Sequence, residues 1–195
     1  MGNSLLDSWI VTNKYRLTVI DPNKHTLLKK KYKSKKIKIL NSINLLNKVG
    51  DYDFIVLAIR PSELRFVLDD LSQFKFKNNS SLISVIAGKK IKLFKNKLTN
   101  IKNFFRVMPN LPASIGESMN CIVASKNVVN IKRNQIINLF SYSGKTLILE
   151  DENQIDMATA ISGSGPGFVF NLIDALQNAA ISLGFKKQIA KILVS

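Results

Sequence analysis

The chain has 195 residues, of which 46% are hydrophobic and 22% charged, and it carries a formal net charge of +16 and one cysteine. That length holds one large domain or two small ones with an ample core, and the composition is that of an ordinary soluble protein. It offers no apolar run of about eighteen residues for a membrane span, no basic-then-apolar start for a secretory signal, and with Cys121 alone neither a disulfide framework nor a Cys-rich metal site, so a reducing cytoplasm is the expected compartment.

Leu5, Leu6, Trp9 and Ile10 recur at helical spacing, with Asn13 as a stop. Arg16 to Ile20 reads as a buried strand ended by Asp21-Pro22, and a lysine-rich helix follows over Lys24 to Tyr32. Ile37 to Leu40 is a short strand and Asn41 to Val49 a short helix. Asp53 to Ile59 is a continuous apolar strand of the kind a parallel sheet covers on both faces. Pro61 breaks it, Glu63 to Leu71 is helical, and Ser81 to Ile86 is the next strand, closed by Ala87-Gly88. A short helix over Ile91 to Leu98 precedes the strand Asn103 to Met108, which Pro109 ends. Cys121 to Ala124 is a strand, Val128 to Ser141 a helix, and Thr146 to Leu149 closes this part; from Glu152 onward the chain reads helical. Alternating strands and helices predict an α/β doubly wound sheet over residues 1–150, and the switch to helix alone predicts a second, helical domain over 151–195.

The densest charge lies between Lys29 and Lys38. Elsewhere the lysines are scattered, so the run reads as a solvated face whose best use is to attract a polyanionic cofactor, not DNA. His25, the only histidine, sits in this basic helix and reads as solvated.

The helical part opens on Asp156-Met-Ala-Thr-Ala-Ile-Ser-Gly-Ser-Gly-Pro-Gly167. Pro166 suits the first turn of the helix that follows, Ser162 and Ser164 can cap its donors, and the glycines allow close approach. Two readings stay open: a close helix–helix crossing, or a helix N-terminus offered to an anionic group.

Taken with Arg106-Val-Met-Pro-Asn-Leu-Pro112 and Gly116-Glu-Ser-Met119, this stretch resembles the pyrroline-5-carboxylate reductase family. Its pattern has an R-V-M-P-N-x-P segment and then L-D-A-x-T-x-x-S-G-S-G-P-A-Y. Ile155-Asp156, Thr159 and Ser162 to Pro166 match the second motif, while Gly167-Phe168 stands where Ala-Tyr is usual. The resemblance runs through nearly the whole chain, in order. It implies a Rossmann-like nucleotide domain, an NADPH or NADH cofactor, reduction of 1-pyrroline-5-carboxylate to L-proline, and self-association as a homodimer or larger. Neither a nucleic acid nor a membrane is an expected partner.

Met1-Gly2, with Leu5-Leu6 and Trp9 behind it, resembles the end of the family's G-x-G-N-M-G fingerprint and its helix. Gly2 would then be the third glycine, the one that packs helix on strand. The first strand and the two phosphate-approaching glycines have no counterpart here. Nor does any stretch of the sequence match the family's S-P-G-G-T-T segment, so the chain is expected to be a piece of a reductase, cut at both ends and inactive alone.

Asp21 ends a strand about 20 residues past the fingerprint, where an acidic residue takes the ribose hydroxyl of NAD; it also reads as an ordinary Asp-Pro turn, and Lys24 and His25 nearby could meet a 2′-phosphate instead. Two strand ends, Ala58-Ile59-Arg60-Pro61 and Val85-Ile86-Ala87-Gly88, match family segments that line the dinucleotide, with Arg60 replacing lysine. The resemblance puts Arg106 to Asn110, including Met108 and Pro109, near the nicotinamide, and Ser162, Gly163, Ser164, Gly165 and Asn110 near the substrate.

No Ser/His/Asp set, paired-carboxylate signature or metal-spacing cluster is evident, and no acid or base is identified. That suits hydride transfer, which needs placement and electrostatics. Two alternatives remain. One is another dehydrogenase of this plan, such as a β-hydroxyacid or prephenate-type enzyme. Those use a lysine or histidine on the first helix of the helical domain, where Glu152 to Ile161 offers neither. The other is a basic nucleic-acid-binding module.

Overall fold

A computed structural model describes residues 1–33, 35–46 and 51–195. In chain order the elements are α1 (Gly2–Ile10), β1 (Leu17–Ile20), α2 (His25–Lys31), β2 (Ile37–Leu40), β3 (Phe54–Leu57), α3 (Leu64–Ser72), β4 (Ser81–Ser84), α4 (Ile91–Lys97), β5 (Asn103–Met108), β6 (Ser118–Ala124), α5 (Asn130–Ser141), β7 (Gly144–Ile148), α6 (Glu152–Ala158), α7 (Gly165–Ser182) and α8 (Lys187–Val194). Single 3₁₀ turns stand at Ile43–Leu45 and Leu111–Ile115, and a π-helical turn, Thr159–Gly163, joins α6 to α7. The helix expected over Asn41 to Val49 shrinks to the first of those 3₁₀ turns, because Ser42 caps Asn44 locally; residues 47–49 of that expectation lie outside the described residues.

The strands form two sheets, β1-β2 and β3-β4-β5-β6-β7. β3, β4 and β5 run parallel, β6 runs antiparallel to β5, and β7 runs parallel to β6. The reversal follows from connection length. The β5–β6 link holds only a 3₁₀ turn, whereas the β6–β7 link contains α5, and a parallel return needs such a crossover.

Side chains alternate along each strand, so neighbours enter opposite layers. Leu82, Phe104 and Val123 join Leu64, Leu68, Phe94 and Ile155 on one face. Ile83, Phe105 and Ile122 join Leu5, Trp9, Ile136 and Phe140 on the other. This two-faced core is what a doubly wound sheet requires.

The helix α1 holds the two sheets together. Leu5 and Trp9 pack on the larger sheet, while Leu6 and Ile10 pack with Leu28, Tyr32 and Ile39 beside the smaller one. Trp9 donates Nε1–H to the Leu139 carbonyl at 2.7 Å and meets Phe140 edge to face at 5.8 Å. No ladder joins β1 to β3. β1 is half-buried throughout and β3 mostly so, in contrast to the fully buried β4. The expectation that Asp53 to Ile59 is covered on both faces is met, with Ile55 and Leu57 in one layer and Phe54 and Val56 in the other, while one edge of β3 carries no ladder among the described residues. In a doubly wound order that place belongs to a first strand.

Beyond β7 the chain is helical. α7 buries none of its residues, and Phe168, Phe170 and Leu172 are each at least 60% exposed. Among the described residues no helix is long and apolar enough to cross a membrane.

Candidate functional site

The β3, β4 and β5 ends converge on one edge of the sheet, which the parallel pairing dictates. Ala58 to Pro61 follow β3; Arg60 N–H donates to Glu63 Oε2 at 3.2 Å, which turns the chain into α3. Val85 to Ala87 follow β4, tied to the first loop by Val85 N–H donating to the Leu57 carbonyl at 3.1 Å. Gly2 meets the same edge. A Cβ on it would stand 3.2 Å from the Ala58 Cβ, so the start of α1 lies as close to β3 as a glycine allows. The first N–H groups of α1 have no side-chain cap and remain available to an anion.

Met108, Pro109 and Asn110 continue from β5. Asn110 is the joint of the site. Its Oδ1 accepts from Met119 N–H at 2.9 Å and from the Ser118 hydroxyl at 3.2 Å, and its Nδ2 donates to the Ser162 carbonyl at 2.9 Å. One side chain thus binds the strand end, the start of β6 and the Ser-Gly-Ser-Gly turn. Gly163 sits against Met108: a Cβ there would lie 3.8 Å from Cε and 3.2 Å from the Thr159 Cγ2. Cys121, on β6, is buried next to Ser162. Burial pushes its thiol pKa up, and the Ser162 hydroxyl offsets part of that. Alkylation of Cys121 in the native chain should accordingly be at least roughly a hundredfold slower than in denaturant, because it requires local opening and a thiolate. Native reaction at the denatured rate would mean that β6 is not packed as described.

The capping expected of Ser162 and Ser164 is not observed. Helix continues through the π turn, so the donors ahead of α7 are already inside a helix. The Ser162 hydroxyl instead donates back to the Ala158 carbonyl at 2.9 Å, and Ser164 makes no side-chain cap. Pro166 does stand in the first turn of α7. A helix crossing at the glycines is not formed within the described residues: a Cβ on Gly165 or Gly167 would meet nothing within 4 Å. The space above the turn is open, and single π turns recur at functional sites.

Asp21 stands apart from this cluster. Its Oδ1 accepts from the N–H groups of Asn23 (3.0 Å) and Lys24 (2.8 Å), the local turn that an Asp-Pro pair forms. Among the described residues no hydrogen bond joins Asp21 to the other candidates, and no group of three His, Cys, Asp or Glu side chains could hold a metal ion.

Two features of the site were not legible in the sequence. Ser118 and Met119 carry Asn110, a role that only the antiparallel return of β6 creates. Arg106, buried in β5, reaches α6. It donates from Nη2 to Asp156 Oδ1 at 2.7 Å, and its Nη1 lies 3.6 Å from Glu152 Oε1.

Residues 152–195 match the family model for pyrroline-5-carboxylate reductase dimerisation. The chain is 30% identical over 179 residues to the pyrroline-5-carboxylate reductase of Haemophilus influenzae, covering 92% of this chain and 64% of the relative. It is 32% identical to that of Mycobacterium leprae, over 70% of this chain and 48% of the relative. It therefore spans about half to two thirds of these relatives' length. Among solved structures it resembles the Coxiella burnetii reductase (TM-score 0.86, 24% identity, 99% of this chain and 71% of that one). It also resembles the Plasmodium falciparum reductase with NADP bound (TM-score 0.79, 26% identity, 100% and 70%). A prephenate dehydrogenase of Aquifex aeolicus shares the fold at TM-score 0.63 and 17% identity. The matching relatives, the dimerisation model over residues 152–195 and the order of motifs around the Asn110–Ser162 joint make the chain similar to the pyrroline-5-carboxylate reductases throughout its length.

Proposed function

We propose that the chain carries the nucleotide site and part of the substrate site of a pyrroline-5-carboxylate reductase, which reduces 1-pyrroline-5-carboxylate to L-proline with NADPH or NADH. The observation that carries this reading is the Asn110–Ser162 hydrogen bond, which fixes the glycine-rich turn over the end of β5. The residues fit a dinucleotide: α1 begins against Ala58 with uncapped N–H groups, and two strand-end loops, with Ala58, Arg60 and Ala87 exposed and Ile86 buried beneath them, lie on the same edge. When bound, the reduced nicotinamide supplies a hydride to the ring C=N carbon, whose protonated nitrogen becomes the amine of proline.

The protein's own work is placement. Asn110, locked by Ser118 and Met119, cannot rotate without losing three hydrogen bonds, so the turn carrying Ser162, Gly163, Ser164 and Gly165 has a fixed height above Met108 and Pro109. Such pre-set geometry lowers the barrier by removing motions that would otherwise be frozen in the reaction. Gly2, Ala58 to Pro61 and Val85 to Ala87 would take the dinucleotide, and Asp21 the ribose. Asp21 Oδ1 is used by its turn, which leaves the second carboxylate oxygen for a hydroxyl donor. Homo-oligomers would form through the apolar face of α7, a helix that buries none of its residues and exposes Phe168, Phe170 and Leu172.

The test is oxidation of NADPH and of NADH with the cyclic imine by the chain extended at both ends with the corresponding segments of the Haemophilus influenzae relative, read as loss of reduced-nicotinamide absorbance. NADH should serve at least as well as it does for an NADPH-preferring relative. Asp21→Ser, which keeps a side-chain acceptor for the turn, should shift kcat/KM toward NADPH. A strong NADPH preference unchanged by Asp21→Ser would remove Asp21 from the site, and no proline from either nucleotide would overturn the activity.

A further inference from the structure

Arg106 is out of place by composition. Its neighbours on β5, Phe104, Phe105 and Val107, are buried apolar residues, and Arg106 is itself only 2% exposed. An apolar side chain there would avoid the cost of burying a guanidinium, and buried ion pairs add little net stability. The cation is nonetheless matched by a carboxylate pair on α6. Glu152 and Asp156 are four residues apart and so share one helix face. Nη2 bonds Asp156, while Nη1 sits 3.6 Å from Glu152, beyond hydrogen-bond reach and without another partner among the described residues. Glu152 Oε1 is meanwhile held by Ile91 N–H at 2.7 Å. A closure of less than an ångström would complete the fork.

The same β-strand supplies both ties to the helical segment. Arg106 holds α6 before the π turn, and Asn110, just past the strand, holds Ser162 at its end. Between them Ile155 is fully buried against the sheet. The Thr159–Gly163 turn is therefore suspended between two fixed points on one rigid element.

We propose that Arg106 is a positioning residue, which acts through Asp156 and Glu152 to set the height and angle of the Ser162–Gly165 turn over the β5 end. The assignment of a substrate to that turn rests on the function proposed above; the tether itself does not.

The test uses the full chain, extended as above for the kinetics, and varies the half-exposed partner, Asp156, whose replacement spares the core. In Asp156→Asn, amide exchange at residues 159–165 should speed up about tenfold, with β4 to β6 unchanged. KM for the cyclic imine should rise about tenfold, the scale of a sub-ångström misplacement, while nucleotide affinity stays within about twofold. Asp156→Glu should recover most of both effects. Unchanged exchange at the turn, or exchange, nucleotide affinity and KM all worsening in proportion to lost stability, would overturn the proposal. If the unaltered chain, extended as above, neither binds nucleotide nor reduces the imine, the proposed function fails, and the exchange experiment still decides the tether.

Discussion

Gly165→Val should abolish imine reduction while leaving the fold intact. Gly165 opens α7 directly after the π turn, and a Cβ placed on it meets nothing within 4 Å. No neighbour must move, its backbone has no positive φ, and valine is no poorer a helix former than the glycine it replaces. The added methyls would instead occupy open space beside the Ser162–Gly165 backbone, where the proposed function puts the substrate ring. kcat/KM should fall at least about a hundredfold, which corresponds to roughly 2.7 kcal/mol of transition-state binding. The Tm should move by no more than about 2 °C. Calorimetry and steady-state kinetics on one preparation decide it. A Tm that collapses together with activity would show that the turn is packed structure and not a receiving surface.

Gly144→Ala should do the opposite, unfolding the chain through a residue that touches no ligand. Gly144 opens β7 with φ at 145°, a conformation that L side chains rarely adopt. A Cβ there would overlap the backbone N and O of Ser118, its partner in the β6–β7 ladder. Both atoms belong to a buried strand and cannot swing aside. Overpacking and backbone strain together should cost on the order of 3–5 kcal/mol, or roughly 10 °C in Tm. Because the Ser118 hydroxyl also donates to Asn110, any variant that folds should bind substrate poorly as well. Denaturant unfolding followed by Trp9 fluorescence would measure the loss; a stability within about 1 kcal/mol of the parent would contradict this packing.

How much of this was readable before the fold differs from residue to residue. Strand positions and their ends were legible because apolar runs bounded by Asp-Pro, Arg-Pro and Ala-Gly pairs punctuate the chain. The close approach at Gly2 was foreshadowed by a motif, and the 3.2 Å distance to the Ala58 Cβ gives its steric reason. The serine caps failed because periodicity does not reveal whether a glycine-rich turn breaks a helix or continues it. Here the π turn continues it, and the Ser162 hydroxyl turns back to Ala158. The short helix after Asn41 failed for a related reason: its local Ser42 cap closes a single turn, and the backbone is already extended at Leu46.

The sequence by itself determined the alternation of strands and helices, the domain class and the motif that carries the family, since these depend on local spacing. Only the tertiary structure decided that Asn110 links three segments, that Arg106 inside the sheet faces two carboxylates on α6, and that β1 and β2 form a sheet separate from β3 to β7. Those are pairings between residues far apart in the chain. Their partners are selected by strand order and by the antiparallel return of β6, neither of which has a period that a sequence can display.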